Sequence, residues 1–222
     1  VVPGERTDAL DVVDAGSRAG PSDEPTGDSP DPQTEDSDAA EEVDLEFVTN
    51  TPEECPGSSI SAGEGENGHW AVSRLTPPVY PWRVDEVAYQ LLAEGSTAFD
   101  DVCGLLDHRV ALFIGGDDPA REPVFVEEGA AADLTSEEQN LGLVWELEGD
   151  IVVEEGESVY VMIEMRIDED AGERSCIIAC VDGGDDDRNL WSNAAEAPYD
   201  WATLASFGLD YTYAVGLRGT PL

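Results

Sequence analysis

The stretch SVYVMIEMRI, residues 158–167, reads as the clearest strand in the chain and decides how the rest is read. It is rich in β-branched, aromatic and long apolar residues, and it follows Glu154-Glu155-Gly156-Glu157, a turn signal. Working outward, LGLVWELE (141–148) alternates, and CIIACV (176–181) is a second buried run, stopped by Asp182-Gly183-Gly184 and three further aspartates.

The same grammar recurs on both sides. HWAVSRL (69–75) alternates, and so does WRVDEVAYQLL (82–92), with Val84, Val87, Tyr89 and Leu91 as inward positions. HRVALFI (108–114) reads as a central strand closed by Gly115-Gly116-Asp117-Asp118, and EPVFVEE (122–128) as a short edge strand. NLWS (189–192) and YTYAVGLRG (211–219) complete about nine short strands spaced roughly 10–20 residues apart. Only 134–140 and 201–206 have weak helical character, so the crossover helices of an α/β fold are missing. The expected fold is an all-β, antiparallel β-sandwich, jelly-roll-like, over residues 47–222.

Residues 1–46 differ in kind. They carry 15 acidic residues and two arginines, and PSDEPTGDSPDPQTEDSDAAEE holds no aromatic and no large aliphatic residue. Such a segment cannot bury enough surface to offset chain entropy, so a disordered acidic N-terminal leader is expected. Its short apolar patches, Ala9-Leu10 with Val12-Val13 and Val43 to Val48, suit docking as strands on a neighbour's sheet edge.

Charge narrows the function classes. With 51 acidic and 10 basic residues, all arginine, the formal charge is −41. That field repels nucleic acid and anionic lipid, because phosphate binding needs lysine and arginine to displace counterions. It suits a salt-rich cytoplasm or export into saline surroundings, and the absence of lysine fits a GC-rich genome in either case. An even set of cysteines, Cys55, Cys103, Cys176 and Cys180, favours the exported, oxidising alternative. No run approaches the roughly 18–20 apolar residues that span a bilayer. The opening at Val1 without methionine is consistent with an export signal already removed.

Cys176 and Cys180 lie four apart. On an extended strand their Cα atoms would be about 13 Å apart, roughly twice what a disulfide tolerates. The favoured pairing joins Cys103 to one of the two, with Cys55 holding the end of the leader against the sandwich. If 176–180 turns instead, Cys176 can reach Cys180. A four-cysteine zinc site lacks its C-x-x-C spacing.

Other candidate sites are chemically distinct. Asp182, Asp185, Asp186 and Asp187 form an acidic turn for which calcium is the candidate ion, although the D-x-D-x-D-G spacing is absent and, in a chain this acidic, a run of aspartates is usually a solvated turn. No cofactor is required by any motif. Only His69 and His108 could act as near-neutral bases, and no G-x-S-x-G, H-E-x-x-H or P-loop occurs, so the chain reads as non-catalytic. Five tryptophans raise the alternative of glycan stacking. Two or three belong in a core, with Trp82 after a proline and Trp201 beside Tyr199 and Asp200 as the exposed candidates.

The stretch LWSNAAEAPYDWATLASFGLDYTYAVGLRG resembles the closing segment of secreted bacterial β-sandwich modules, in which an aromatic strand, a W-x-x-L-x-x-F-G turn and a final strand follow one another. Here the positions are Trp191, Trp201, Leu204, Phe207, Gly208 and the strand from Tyr211; PPVYPWRVDEVAYQL resembles the opening strand. The resemblance covers most of 69–219 and implies a sandwich exported by a Gram-negative bacterium behind a low-complexity leader. It transfers no catalytic residue. The function expected is a cell-surface or extracellular structural and interaction module, a subunit of a larger assembly, with other surface proteins or copies of itself as partners and carbohydrate as the alternative ligand.

Overall fold

The computed structural model describes residues 46–53, 55, 57–93, 102–119, 122–129, 141–181 and 187–222. The leader up to residue 45, the 134–140 segment and Asp182, Asp185 and Asp186 lie outside the described residues. In chain order the strands are β1 (Glu46–Thr49), β2 (Gly57–Ser61), β3 (His69–Leu75), β4 (Trp82–Leu91), β5 (Val102–Cys103), β6 (His108–Gly115), β7 (Phe125–Gly129) and β8 (Leu141–Val153). They continue as β9 (Ser158–Met165), β10 (Ile167–Asp168), β11 (Glu173–Arg174), β12 (Cys176–Val181), β13 (Asn189–Ser192), β14 (Trp201–Thr203), β15 (Tyr211–Tyr213) and β16 (Val215–Pro221). Among the described residues the helical element is a 3-10 turn, Leu204–Phe207.

These strands make an antiparallel β-sandwich. One sheet runs β14-β13-β3-β9-β6-β7. The other holds seven strands: β16 pairs β1 and β4, β4 also pairs β8, and β12 pairs β2, β15 and the end of β4 at Leu91. A small third sheet, β10-β11-β5, contains the one parallel pairing among the described strands, β11 with β5. β1 is local. Glu46–Thr49 pairs with Gly216–Gly219 of its own chain, so the end of the Val43–Val48 patch closes the sandwich it belongs to.

The run at 158–167 is apolar on both faces for a physical reason. Val159, Val161, Ile163 and Met165 enter the core between the sheets, together with Leu75, Trp82, Val87, Tyr89, Leu91 and Leu112. Tyr160 and Met162 point the other way, into a second cluster with Trp70, Val72, Ala111 and Phe113, capped by Leu190, Tyr199 and Trp201. A strand covered on both sides reads as continuous apolar sequence. β4 obeys a different device. Val84 and Val87 are both inward although three apart, and the register shifts between Val84 and Glu86, a bulge that restores inward phase.

Both disulfides follow the strand reading of CIIAC. Cys103 bonds Cys176 and Cys55 bonds Cys180, with Cα separations of 5.5 and 4.9 Å. Residues i and i+4 of β12 share a face, and each reaches a different neighbour. The two bridges imply an oxidising compartment. No helix among the described residues is long and apolar enough to cross a membrane.

The W-x-x-L-x-x-F-G segment is a capped 3-10 turn. Thr203 accepts a hydrogen bond from Ser206 N, and Gly208 closes the turn at φ 75°, a left-handed conformation suited to glycine. Leu204 is buried beneath it while Phe207 stays exposed.

Candidate docking surface

Among the described residues β8 pairs with β4 alone, so its far side is the edge of the seven-stranded sheet. Its segment Leu141–Glu146 lies opposite Leu91–Glu86 in unbroken antiparallel register. Leu143 and Trp145 therefore follow the inward phase of their partners Tyr89 and Val87. Those partners are at most 1% exposed, whereas Leu143, Trp145, Leu147 and Ile151 pack on the core only half-buried. Among the described residues no strand covers the core along this edge. Beyond Glu146 the register jumps: Val84 faces Ile151, so four residues of β8 stand opposite Asp85. This wide bulge exposes Glu148 and Asp150.

Hydrogen bonds fix the inner side of the edge. Trp145 Nε1 donates to Tyr89 Oη at 2.9 Å, and Tyr89 Oη lies 2.6 Å from His108 Nε2. His108 Nδ1 is 2.8 Å from the Leu106 carbonyl. A neutral imidazole satisfies this chain from end to end: Nδ1–H donates to Leu106, and Nε2 accepts from Tyr89. Burial lowers the His108 pKa, outweighing the Leu106 hydrogen bond and the charges of Glu164 and Asp107. Burial likewise raises that of Tyr89. One network thus ties β8 and β4 to β6 of the opposite sheet.

The outer face beside the edge is a trough. Across the strands, Thr49, Gly216, Ala88 and Val144 stand in one row, with Gln90 opposite Gly142 in the next. Small side chains at Gly216, Ala88, Ala214 and Gly142 leave a trough of about 450 Å³ between Phe47 and Thr51-Pro52-Glu53. Phe47 lies down on the sheet because position 216 is glycine; a Cβ there would sit 2.5 and 2.6 Å from its ring carbons. The threonine hydroxyls are engaged, Thr49 with the Val215 carbonyl and Thr51 with that of Tyr213. The lining is consequently more apolar than its residue names suggest.

The rim is acidic. Along the neighbouring row Arg218, Glu86 and Glu146 stand side by side, and Arg218 is 2.9 Å from Glu86. Glu146 faces a like charge on one side and the open edge on the other. Arg83 is held by Asp85 at 2.6 Å, and its pKa is raised by that hydrogen bond and by the charges of Asp85 and Asp150. β8 itself has three acidic residues and no basic one.

The residues singled out from sequence fall elsewhere. Trp82 is not exposed: it sits between β16 and β8 on β4 with no accessible surface, its ring packed where Gly219 has no side chain. A proline before it starts the strand rather than a loop. Tyr199 and Trp201 do come together, but as a stack with centroids 4.9 Å apart, and Tyr199 makes T-shaped contacts with Trp70 and Phe113 at 6.3 and 6.2 Å. Rings that face one another cap the six-stranded sheet and do not form a side-by-side platform. Asp200, exposed and at φ 49°, shapes the turn by accepting from Asn193 Nδ2 through its carbonyl at 2.8 Å. Trp70, Trp82 and Trp191 are buried, while Trp145 and Trp201 are half-buried. Asp187 is exposed, and no three His, Cys, Asp or Glu groups converge to hold a metal among the described residues.

One charged cluster escaped sequence reasoning. Glu164, on the outer face of β9, accepts from Arg109 N and Arg109 Nη2 at 2.9 Å each and from Arg166 Nη1 at 3.2 Å. Burial pushes its carboxyl up, but the Arg109 bonds and the two guanidinium charges win and hold it below the usual range. Arg109 also lies 5.0 Å over the Trp70 ring. A glutamate inside an apolar run was the available signal. The cluster sets two guanidinium groups on one carboxylate and braces β3, β6 and β9.

No family model, curated protein or solved structure matches this chain.

Proposed function

We propose that the chain is a non-catalytic, extracellular interaction module that docks through the open β8 edge of its sandwich. The observation that carries this reading is the half-burial of Leu143, Trp145, Leu147 and Ile151, which face the core at a sheet edge without a further described strand. Apolar surface left at an unpaired edge is a template for another strand, because main-chain donors and acceptors and a strip of core become available together. Export is supported by the two disulfides, while the charge of −41 keeps the chain soluble and disfavours association with its own copies. The carbohydrate alternative loses its platform, since Tyr199 and Trp201 stack on each other.

A photo-crosslinking residue in place of Val144, 50% exposed beside the edge, tests the reading against the same residue in place of Phe207, equally exposed on the 3-10 turn. Adducts with extracellular protein are expected from position 144 and not from 207. Equal yields from both, or none from either, would refute it.

A further inference from the structure

Resting on that reading, we propose that the occupant of the β8 edge is an extended, basic segment of another protein, added as a strand with apolar side chains inward and arginine or lysine outward. Three observations select this chemistry. First, the inward positions of an added strand would lie beside Leu143 and Trp145, where the core is incomplete, and apolar side chains there complete the cover.

Second, the outward positions meet acid. Arg218 neutralises Glu86 at 2.9 Å, yet Glu146 stands directly across from Glu86 with no described cation on its far side. A basic side chain on the incoming strand would close the row with a cation at each end, Arg218 beside Glu86 and the newcomer beside Glu146. Glu148 and Asp150 at the bulge reinforce the same potential.

Third, the trough beside the edge suits a long basic side chain. Gly142, Ala88 and Gly216 make room for a methylene stem, Phe47 offers a ring face, and Glu53 stands at the far wall. Arg218 already lies 5.8 Å from that ring, the contact an incoming guanidinium would repeat.

The same charges exclude a second copy of this chain. Pairing edge to edge would bring Glu146 against acidic β8 residues. Acidic side chains and a bulge are the usual means of blunting an exposed edge. Here they blunt it against acidic chains and leave it complementary to basic ones.

The test uses the full chain and short fluorescent peptides, read by anisotropy at low and high salt. An alternating Arg/Val peptide is compared with one of identical composition in block order, and with an alternating Glu/Val peptide. The alternating basic peptide is expected to bind at least about tenfold more tightly than the block peptide, and a chain carrying Glu146→Arg and Glu148→Arg to lose about tenfold or more. Glu146→Gln with Glu148→Gln gives an intermediate loss without charge reversal, and unchanged thermal melting certifies that both variants fold. Equal binding of alternating and block peptides, or binding indifferent to both variants, overturns the proposal in favour of diffuse attraction to a polyanion. Adducts at position 144 with a partner that lacks a basic strand overturn it and leave the docking edge standing; neither adducts nor peptide binding ends both.

Discussion

Removing one oxygen atom tests the inner support of the docking edge. Tyr89→Phe deletes the hydroxyl that accepts from Trp145 Nε1 at 2.9 Å and meets His108 Nε2 at 2.6 Å. His108 is 3% exposed, so its Nε2 lone pair is stranded away from water, a loss of about 1–3 kcal/mol. Trp145 is half-buried, and its N–H can turn to solvent at little cost. The expected destabilisation is about 2 kcal/mol, which for a chain of this length lowers Tm by roughly 4–8 °C. Urea unfolding monitored by tryptophan fluorescence measures it, with Tyr80→Phe as the control: its hydroxyl donates to Glu157 O at 2.8 Å near the surface and should cost under about 1 kcal/mol. In a His108→Leu background the Tyr89→Phe penalty should shrink by about 1 kcal/mol or more, because the stranded acceptor is gone. Loss of less than about 0.5 kcal/mol, or strict additivity with His108→Leu, would refute the network.

Further outcomes follow from the same contacts. Burial lowers the His108 pKa, so the unfolded chain takes up the proton first. Its contribution is complete above about pH 6.5 and declines as pH falls through that value, so the stability gap between wild type and His108→Gln should narrow between about pH 7.5 and 5; a constant gap would contradict this. Glu164 has a depressed pKa, so its contribution is present above the ordinary carboxylate range and lost as pH drops through the folded value. Glu164→Gln should cost about 2 kcal/mol at neutral pH and little in acid, by urea titration at each pH. Replacing Cys103 and Cys176 together by serine frees a span of 73 residues and should cost about 4 kcal/mol in chemical denaturation. Gly219→Ala would press a methyl group against the Arg83 carbonyl and the Trp82 ring, and a loss of about 3 kcal/mol in the same assay is expected.

What could be read in advance tracks the range of the interaction responsible. HWAVSRL, CIIACV and NLWS coincide with β3, β12 and β13, because their residue types and bounding turns are local. The 13 Å argument at Cys176 and Cys180 anticipated the pairing with Cys103 because strand geometry alone forbids the short bond. β5, β10 and β11 have two residues each: β10 and β11 form a hairpin too short to leave a periodic pattern, and β5 exists by pairing with β11 from far along the chain. Trp82 misled because a preceding proline looks the same before an edge strand and before an interior one; burial was decided by β8 and β16 on either side. The docking edge was hidden for the same reason. LGLVWELE announces a strand, but its position at a border, and the alignment of Glu146 with Glu86 and Arg218, arise only from the register of three strands.

Amide hydrogen exchange across β8 and β9 in the free chain tests the open edge most directly. In β9 the residues Val159–Ile163 pair with both β3 and β6, and their amides should exchange slowly throughout. Within Gly142–Glu146 slow and fast amides should alternate, the slow ones bonded to β4 and the fast ones facing outward, and the fast set should become protected when a basic strand is added. Uniform protection of Gly142–Glu146 before any partner is present would mean that the edge is already paired, and would contradict the account.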